Sequence, residues 1–168
     1  MDRLSEYKIP FKGLSEGKHN YNFDLDGKFF EALESEELTK GKIKVKLELD
    51  KQSRMMVLNI ELKGSVIVDC DRCGDELELK LKDEKIIIVK YTNDGSDSDE
   101  IIILNEKDSF LDMSSILYEF IVLALPMRRI HKEGKCNPEQ LKMLEELTKP
   151  ISTDSPWEAL KNIKFDDN

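Results

Sequence analysis

The chain is short of the residues from which active sites are usually built. Its 168 residues include only two histidines, His19 and His131, so general acid–base chemistry has few starting points. No HExxH, P-loop or GxGxxG pattern occurs, which removes the open zinc-protease site and the glycine cradles for nucleotide phosphates. No HxE is paired with a downstream PCxxC, so the deaminase template fails too. No nucleophile elbow is expected, and hydrolytic chemistry finds little support. No apolar run approaches the roughly 18 residues of a membrane span; the longest, Ile116 to Pro126, is broken by Glu119. The N-terminus lacks a basic stretch followed by an apolar one, so no export signal is expected and the protein is expected to be cytoplasmic. Positive charge is in deficit. With 26 basic against 35 acidic side chains the net charge is −9, which argues against gripping nucleic acid by bulk electrostatics. Any RNA contact has to come from a local patch.

The sequence does contain regular apolar patterning, enough for one domain with a real core. Tyr7, Ile9 and Phe11, then Tyr21, Phe23 and Leu25, alternate with polar residues around Gly13 and Gly17, which predicts a first hairpin. Asp26 is placed to cap a short helix carrying Phe29, Phe30 and Leu33. Ile43, Val45, Leu47 and Leu49 alternate with Lys42, Lys44, Lys46 and Glu48, and a turn at Lys51-Gln52-Ser53 follows. The chain returns through Leu58, Ile60, Leu62, Val66 and Val68 to Cys70. Beyond a tight Cys70–Gly74 corner, Leu77, Leu79 and Leu81 alternate again, Ile86 to Val89 form a buried run, and Ile101 to Leu104 add a last strand. Short turns between successive strands imply an antiparallel meander or partly closed sheet rather than βαβ units. A polar, acidic loop is expected at 92–100.

The last third reads as helical, giving an α+β class with a β-rich part over 1–104 and helices over 112–165 packed on the sheet. Asp112 caps a helix running to Pro126, apolar nearly all round and therefore expected to be central and buried. Glu119, its only charge, either finds a buried partner or faces outward; outward is favoured because charges are rarely buried. Asn137-Pro138-Glu139-Gln140 and Ser155-Pro156-Trp157-Glu158 open two further helices with a cap and a proline at the first helical position, and Trp157 is expected to anchor packing.

The three cysteines are an odd number, and a reducing compartment disfavours disulfides. Cys70-x-x-Cys73 at a turn can aim two thiolates at one metal. Cys136 and His131 lie together downstream, so Cys70, Cys73, His131 and Cys136 can supply a Cys3His site for a structural zinc ion. The alternative is a Cys pair on a partly buried turn with His131 and Cys136 as ordinary loop residues, since 57 residues separate Cys73 from His131 and no standard finger has that spacing. Redox chemistry is disfavoured, because Asp69, Asp71, Asp75 and Glu76 are expected to raise the thiol pKa values. Arg128, Arg129, Lys132 and Lys135, with Arg72 of the corner, form a candidate surface for RNA phosphates or an acidic partner; a solvated loop has the same composition. The lysine comb at 42, 44 and 46 is read as the wet face of a strand.

Cys70-Asp71-Arg72-Cys73 after strands, Leu123-Ala124-Leu125-Pro126 closing an apolar helix, His131 with Cys136, and the tail Asp154-Ser155-Pro156-Trp157-Glu158-Ala159-Leu160 occur in an order that resembles the YceD family of large ribosomal RNA subunit accumulation proteins. The resemblance implies a role in accumulating large-subunit rRNA through a large-subunit ribosomal protein, precursor rRNA, or both. It supplies no catalytic residues to carry over, and no small-molecule substrate and no membrane partner are expected. Two other classes remain open: a metal-dependent enzyme acting on RNA or nucleotides, which needs an open coordination position, and a metal-free acidic adaptor.

Overall fold

A computed structural model describes residues 4–35, 37–91, 101–104 and 108–148. Its centre is an open five-stranded sheet built from β2 (Gly17–Leu25), β3 (Lys40–Lys51), β4 (Met55–Asp69), β5 (Glu76–Tyr91) and β6 (Ile101–Leu104), in that spatial order. The first four strands form the antiparallel meander that their alternation predicts. The two separate apolar runs beyond Cys73 belong to one continuous strand, β5, which at 16 residues is unusually long. β6 is the exception to the meander: it runs parallel to β5, Ile88 opposite Ile101. Periodicity reports which face a residue occupies and carries no information on strand direction.

The register sorts the faces cleanly. Ile43, Val45, Leu47 and Leu49 of β3 and Met56, Leu58, Ile60, Leu62, Val66 and Val68 of β4 are buried on one face. A covering layer lies on that side. Asp26 accepts a hydrogen bond from the Lys28 N–H at 2.9 Å and starts α1 (Gly27–Ala32), which buries Phe29 and Phe30 in the same core as β2 and β3. Gly64 marks a close crossing of backbones. A Cβ there would lie 2.1 Å from the Lys42 carbonyl oxygen and 2.6 Å from the Ile43 Cα, so only glycine lets β3 and β4 approach this closely.

The expected first hairpin does not form. Tyr7, Ile9 and Phe11 are buried as their alternation requires, but 3₁₀ turns at Ser5–Tyr7 and Phe11–Gly13 shorten the strand between them to β1 (Lys8–Ile9). β1 pairs instead with the distant β7 (Leu111–Asp112), Ile9 opposite Leu111. Local alternation selected the buried side chains; a partner a hundred residues away supplied the pairing.

Asp112 caps α2 (Met113–Leu123), accepting from the Ser114 N–H at 2.9 Å. The helix buries Met113, Ser114, Leu117, Phe120 and Ile121, but it is not central. Ser115, Glu119 and Leu123, four residues apart, form an exposed stripe, and Leu123 is 70% exposed. Glu119 faces outward. α3 (Pro138–Thr148) is capped by Asn137, whose side-chain oxygen accepts from the Glu139 N–H at 3.0 Å. It contains no buried residue and touches the body through half-buried Leu141. The acidic segment 92–100, Trp157 and the last expected helix lie outside the described residues. No helix among the described residues is long and apolar enough to cross a membrane.

Candidate metal centre

β4 and β5 are joined by the corner Cys70 to Asp75. The Cys70 N–H donates to the Asp75 carbonyl and the Gly74 N–H to the Cys70 carbonyl, each at 2.9 Å. Gly74 has φ +75°, a conformation that suits glycine and few other residues. The turn therefore folds back on itself and leaves Cys70 and Cys73 on one side. Residues 124–137, between α2 and α3, pass over that side and bring His131 and Cys136 to it.

The ligand atoms of Cys70, Cys73, His131 and Cys136 all lie within 4.8 Å of one another. Two distances test the fit to a metal. The Cys70 and Cys136 sulfurs are 4.0 Å apart, and the Cys73 sulfur is 3.5 Å from His131 Nδ1. Tetrahedral zinc with ordinary Zn–S and Zn–N bonds sets S···S at about 3.8 Å and S···N at about 3.6 Å. The cysteines are buried, at 2%, 6% and 8% exposure for Cys70, Cys73 and Cys136, and all three are free thiols. The other imidazole nitrogen, Nε2, sits 3.2 Å from the Glu76 carbonyl oxygen. That contact fixes the tautomer with hydrogen on Nε2, leaves Nδ1 as the donor atom, and orients the ring as metal-bound histidines require.

The electrostatics favour a thiolate here, against the expectation from neighbouring acids. Burial pushes the Cys70 thiol up, but backbone N–H groups of Arg72, His131 and Cys73 donate to its sulfur, with further help from the Cys73 thiol. They bring its pKa down to about 6. The corner supplies the Arg72 and Cys73 donors and the crossing segment supplies His131, while the Asp71 carboxylate is occupied by Arg129. Burial, and then competition with Cys70 and Cys73 for the same charge, pushes Cys136 up. Hydrogen bonds to Cys70 and Cys73 raise His131.

Of the candidate partner-binding cations, Arg128, Lys132 and Lys135 are exposed and Arg72 is half-buried. Arg129 is engaged differently. Its side chain, 28% exposed, bonds Glu37 at 2.7 Å and reaches Asp71 at 3.4 Å. Its backbone N–H donates to the Asp71 carboxylate at 2.6 Å, and its carbonyl accepts from the Asp71 N–H at 2.7 Å. Arg129 and Asp71 therefore clamp the crossing segment to the Cys corner. Asp71 and Glu37 were not singled out in the sequence, where Asp71 reads only as an unfavourable neighbour of the thiols. Leu77, Ile130 and Leu141 close the apolar rim of the cluster.

One catalytic spacing is present in the sequence but forms no nucleophile elbow. Gly13-Leu14-Ser15-Glu16-Gly17 does have the G-x-S-x-G spacing of a nucleophile elbow. It runs from a 3₁₀ turn into a strand, not from a strand into a helix as an elbow does. His19 Nε2 contacts the Ser15 backbone carbonyl at 2.9 Å; that contact gives the Ser15 hydroxyl no base. In the cleft beside Glu6, Lys28 and Glu31, burial and Glu6 hold the Tyr7 phenol well above its ordinary pKa, so it stays protonated.

Comparison with known proteins adds one match. The sequence fits the family described as large ribosomal RNA subunit accumulation protein YceD over residues 58–164. The matched stretch opens in β4 and takes in the Cys corner, α2, His131, Cys136 and α3. No curated protein and no solved structure matches the chain.

Proposed function

The chain belongs to the YceD family of large ribosomal RNA subunit accumulation proteins, and from that premise we propose that it is a non-enzymatic accessory factor of large-subunit maturation. In this reading it acts in the cytoplasm, as one domain, by binding a large-subunit ribosomal protein or precursor rRNA. Cys70, Cys73, Cys136 and His131 would hold a structural zinc ion, whose contribution is to crosslink the corner to the segment between α2 and α3. The observation that carries the zinc assignment is the meeting of three thiols and one oriented imidazole at tetrahedral spacing. Four protein ligands fill the coordination shell and leave no position for an activated water, which favours a structural over a catalytic role. A reducing compartment keeps the thiols available.

The clamp at Arg129 holds the loop that carries Arg128, Lys132 and Lys135, so those three side chains are presented from a fixed backbone next to the corner. With Arg72 they form the proposed contact for a partner, while Arg129 keeps the surface in place. The test is affinity purification of the tagged protein from its own cells at moderate salt, followed by identification of the proteins and rRNA that accompany it. Enrichment of precursor large-subunit rRNA or of a large-subunit protein is expected, reduced by Arg128→Glu with Lys132→Glu. A protein that returns alone at several salt concentrations overturns the assignment.

A further inference from the structure

The sheet face opposite the core carries a second basic surface, which becomes visible only once the register is known. Lys44 lies opposite Lys63 and Lys63 opposite Lys82, so three lysines stand side by side across β3, β4 and β5, with Asp24 of β2 at the end of the row. In the adjacent row Lys42 and Lys80 flank Ser65. Five lysines thus occupy two neighbouring rows. The row on one side holds Asn22, Lys46, Glu61 and Glu84, and the row on the other holds Lys40, Ile67 and Glu78, so acids border the patch at its edges while its two central rows hold five lysines against Asp24 alone. None of the five lysines is ion-paired among the described residues. By contrast Lys18 is paired with Glu48 and Lys40 with Glu76.

Like charges directly opposite in a sheet are destabilising. Three in one row, in a chain with a surplus of acids, oppose stability without serving the core. Two adjoining clefts, of about 520 and 210 Å³, have Lys44 and Lys63 in common, so the row forms the shared wall of a grooved surface. The two lysine rows contain no aromatic side chain. Protein interfaces are depleted of lysine at their centres and enriched in aromatics, and readers of unpaired bases stack them on aromatic rings. Lysines on a regular lattice without such anchors suit a repeating anion.

We propose that this face binds the phosphate backbone of helical RNA, without reading its sequence. The proposal rests on the large-subunit role above and gives that role a second contact surface, separate from the metal centre. Lys63, Lys80 and Lys82 fall within the family-matched stretch, and Lys42 and Lys44 precede it.

The experiment measures binding of the full-length protein to a 20-base-pair RNA duplex across a salt series. Five phosphate contacts give a slope of log K against log salt of about −4, and losing three of them reduces it by roughly 2 to 3. The triple variant Lys44→Gln, Lys63→Gln, Lys82→Gln is expected to show that reduction, with a melting temperature equal to or above that of the parent because the like-charge row is gone. A charge-matched control, Lys12→Gln, Lys28→Gln, Lys142→Gln, is expected to keep the parental slope, since screening confines each charge to about 10 Å. Equal slopes for parent and both variants overturn the surface. Displacement of the duplex by polyglutamate of equal charge at equal concentration overturns the choice of RNA over an acidic protein. If the tagged parent still recovers large-subunit components in either case, only this surface falls; if it recovers none, the maturation role falls with it.

Discussion

In the reading that Cys70, Cys73, His131 and Cys136 hold zinc, chelation should release one part of the molecule and leave the rest folded. Apart from the Arg129–Glu37 ion pair, the described attachments of residues 128–148 converge on the Cys corner: the Cys3His cluster, the Asp71–Arg129 clamp, the His131–Glu76 contact, and a small apolar rim of Leu77, Ile130 and Leu141. α3 has 11 residues and buries none of them, and isolated helices of that length are marginal in water. The main core, from Tyr7 to Ile121, forms a separate cluster. With free zinc at a thousand times its dissociation constant, the linkage term is about 4 kcal/mol, which suppresses local opening about a thousandfold. Hydrogen exchange of the zinc-loaded and chelated protein measures this directly. Chelation is expected to speed exchange in 128–148 by up to about a thousandfold while Leu58, Ile60 and Leu62 in β4 keep their protection. Uniform loss across both regions would show that the metal holds the whole fold, and protein isolated with less than a stoichiometric metal ion would remove the centre altogether.

Further outcomes follow from individual contacts. Gly64→Ala forces a Cβ against the β3 backbone and should cost about 3 kcal/mol, lowering the thermal midpoint by roughly 6–12 °C; an unchanged midpoint would show that the strands can separate freely. Arg129→Ala should loosen the 128–137 segment by about 1 kcal/mol, seen as faster local exchange, whereas Arg128→Ala should leave exchange unaltered. Glu119→Leu, on the exposed stripe of α2, should stay within about 0.5 kcal/mol of the parent in denaturant unfolding; a larger loss would indicate a partner for the carboxylate. Cys136→Ser should lower zinc affinity in a competition assay by at least tenfold, and equal affinity would exclude Cys136 from the coordination shell.

What could be read in advance depended on how local the cause was. β3 and β4 were legible because apolar residues alternate from Ile43 to Leu49 and again, after the turn, from Met56 to Leu62 and at Val66 and Val68, and the caps at Asp26, Asp112 and Asn137 were legible because a short acceptor precedes each helix. Pairing was not. Tyr7 and Ile9 alternate as a hairpin strand does, yet Ile9 pairs with Leu111, and no local signal encodes that choice. α2 looked buried all round because Leu123 and Val122 count as apolar in any tally, although Leu123 lies on the stripe shared with Ser115 and Glu119. In the candidate metal centre the four side chains that could hold an ion stood out through the scarcity of cysteine and histidine alone. Their convergence required the segment after α2 to cross the corner, and the residues that make it cross, Asp71 and Arg129, are individually ordinary.

The same distinction applies to charge. A net charge of −9 argued against gripping nucleic acid by bulk electrostatics and left only a local patch, and the comb at Lys42, Lys44 and Lys46 looked like ordinary solvation of a strand. Composition averages over the whole surface, whereas a polyanion interacts only with charges within about a Debye length, roughly 10 Å at 0.1 M salt. Neighbouring strands lie about 4.8 Å apart, so Lys63 and Lys82 fall inside that radius of Lys44, although they are far from it in sequence. Asp24, directly opposite Lys44, and Glu61 fall inside it as well, which directs the potential away from β2 and toward Lys63, Lys82 and the row of Lys42 and Lys80. An acidic chain can therefore present a local cationic face, and the acids elsewhere would repel RNA from the remaining surface. Such a protein would hold RNA in one orientation and release it as salt rises.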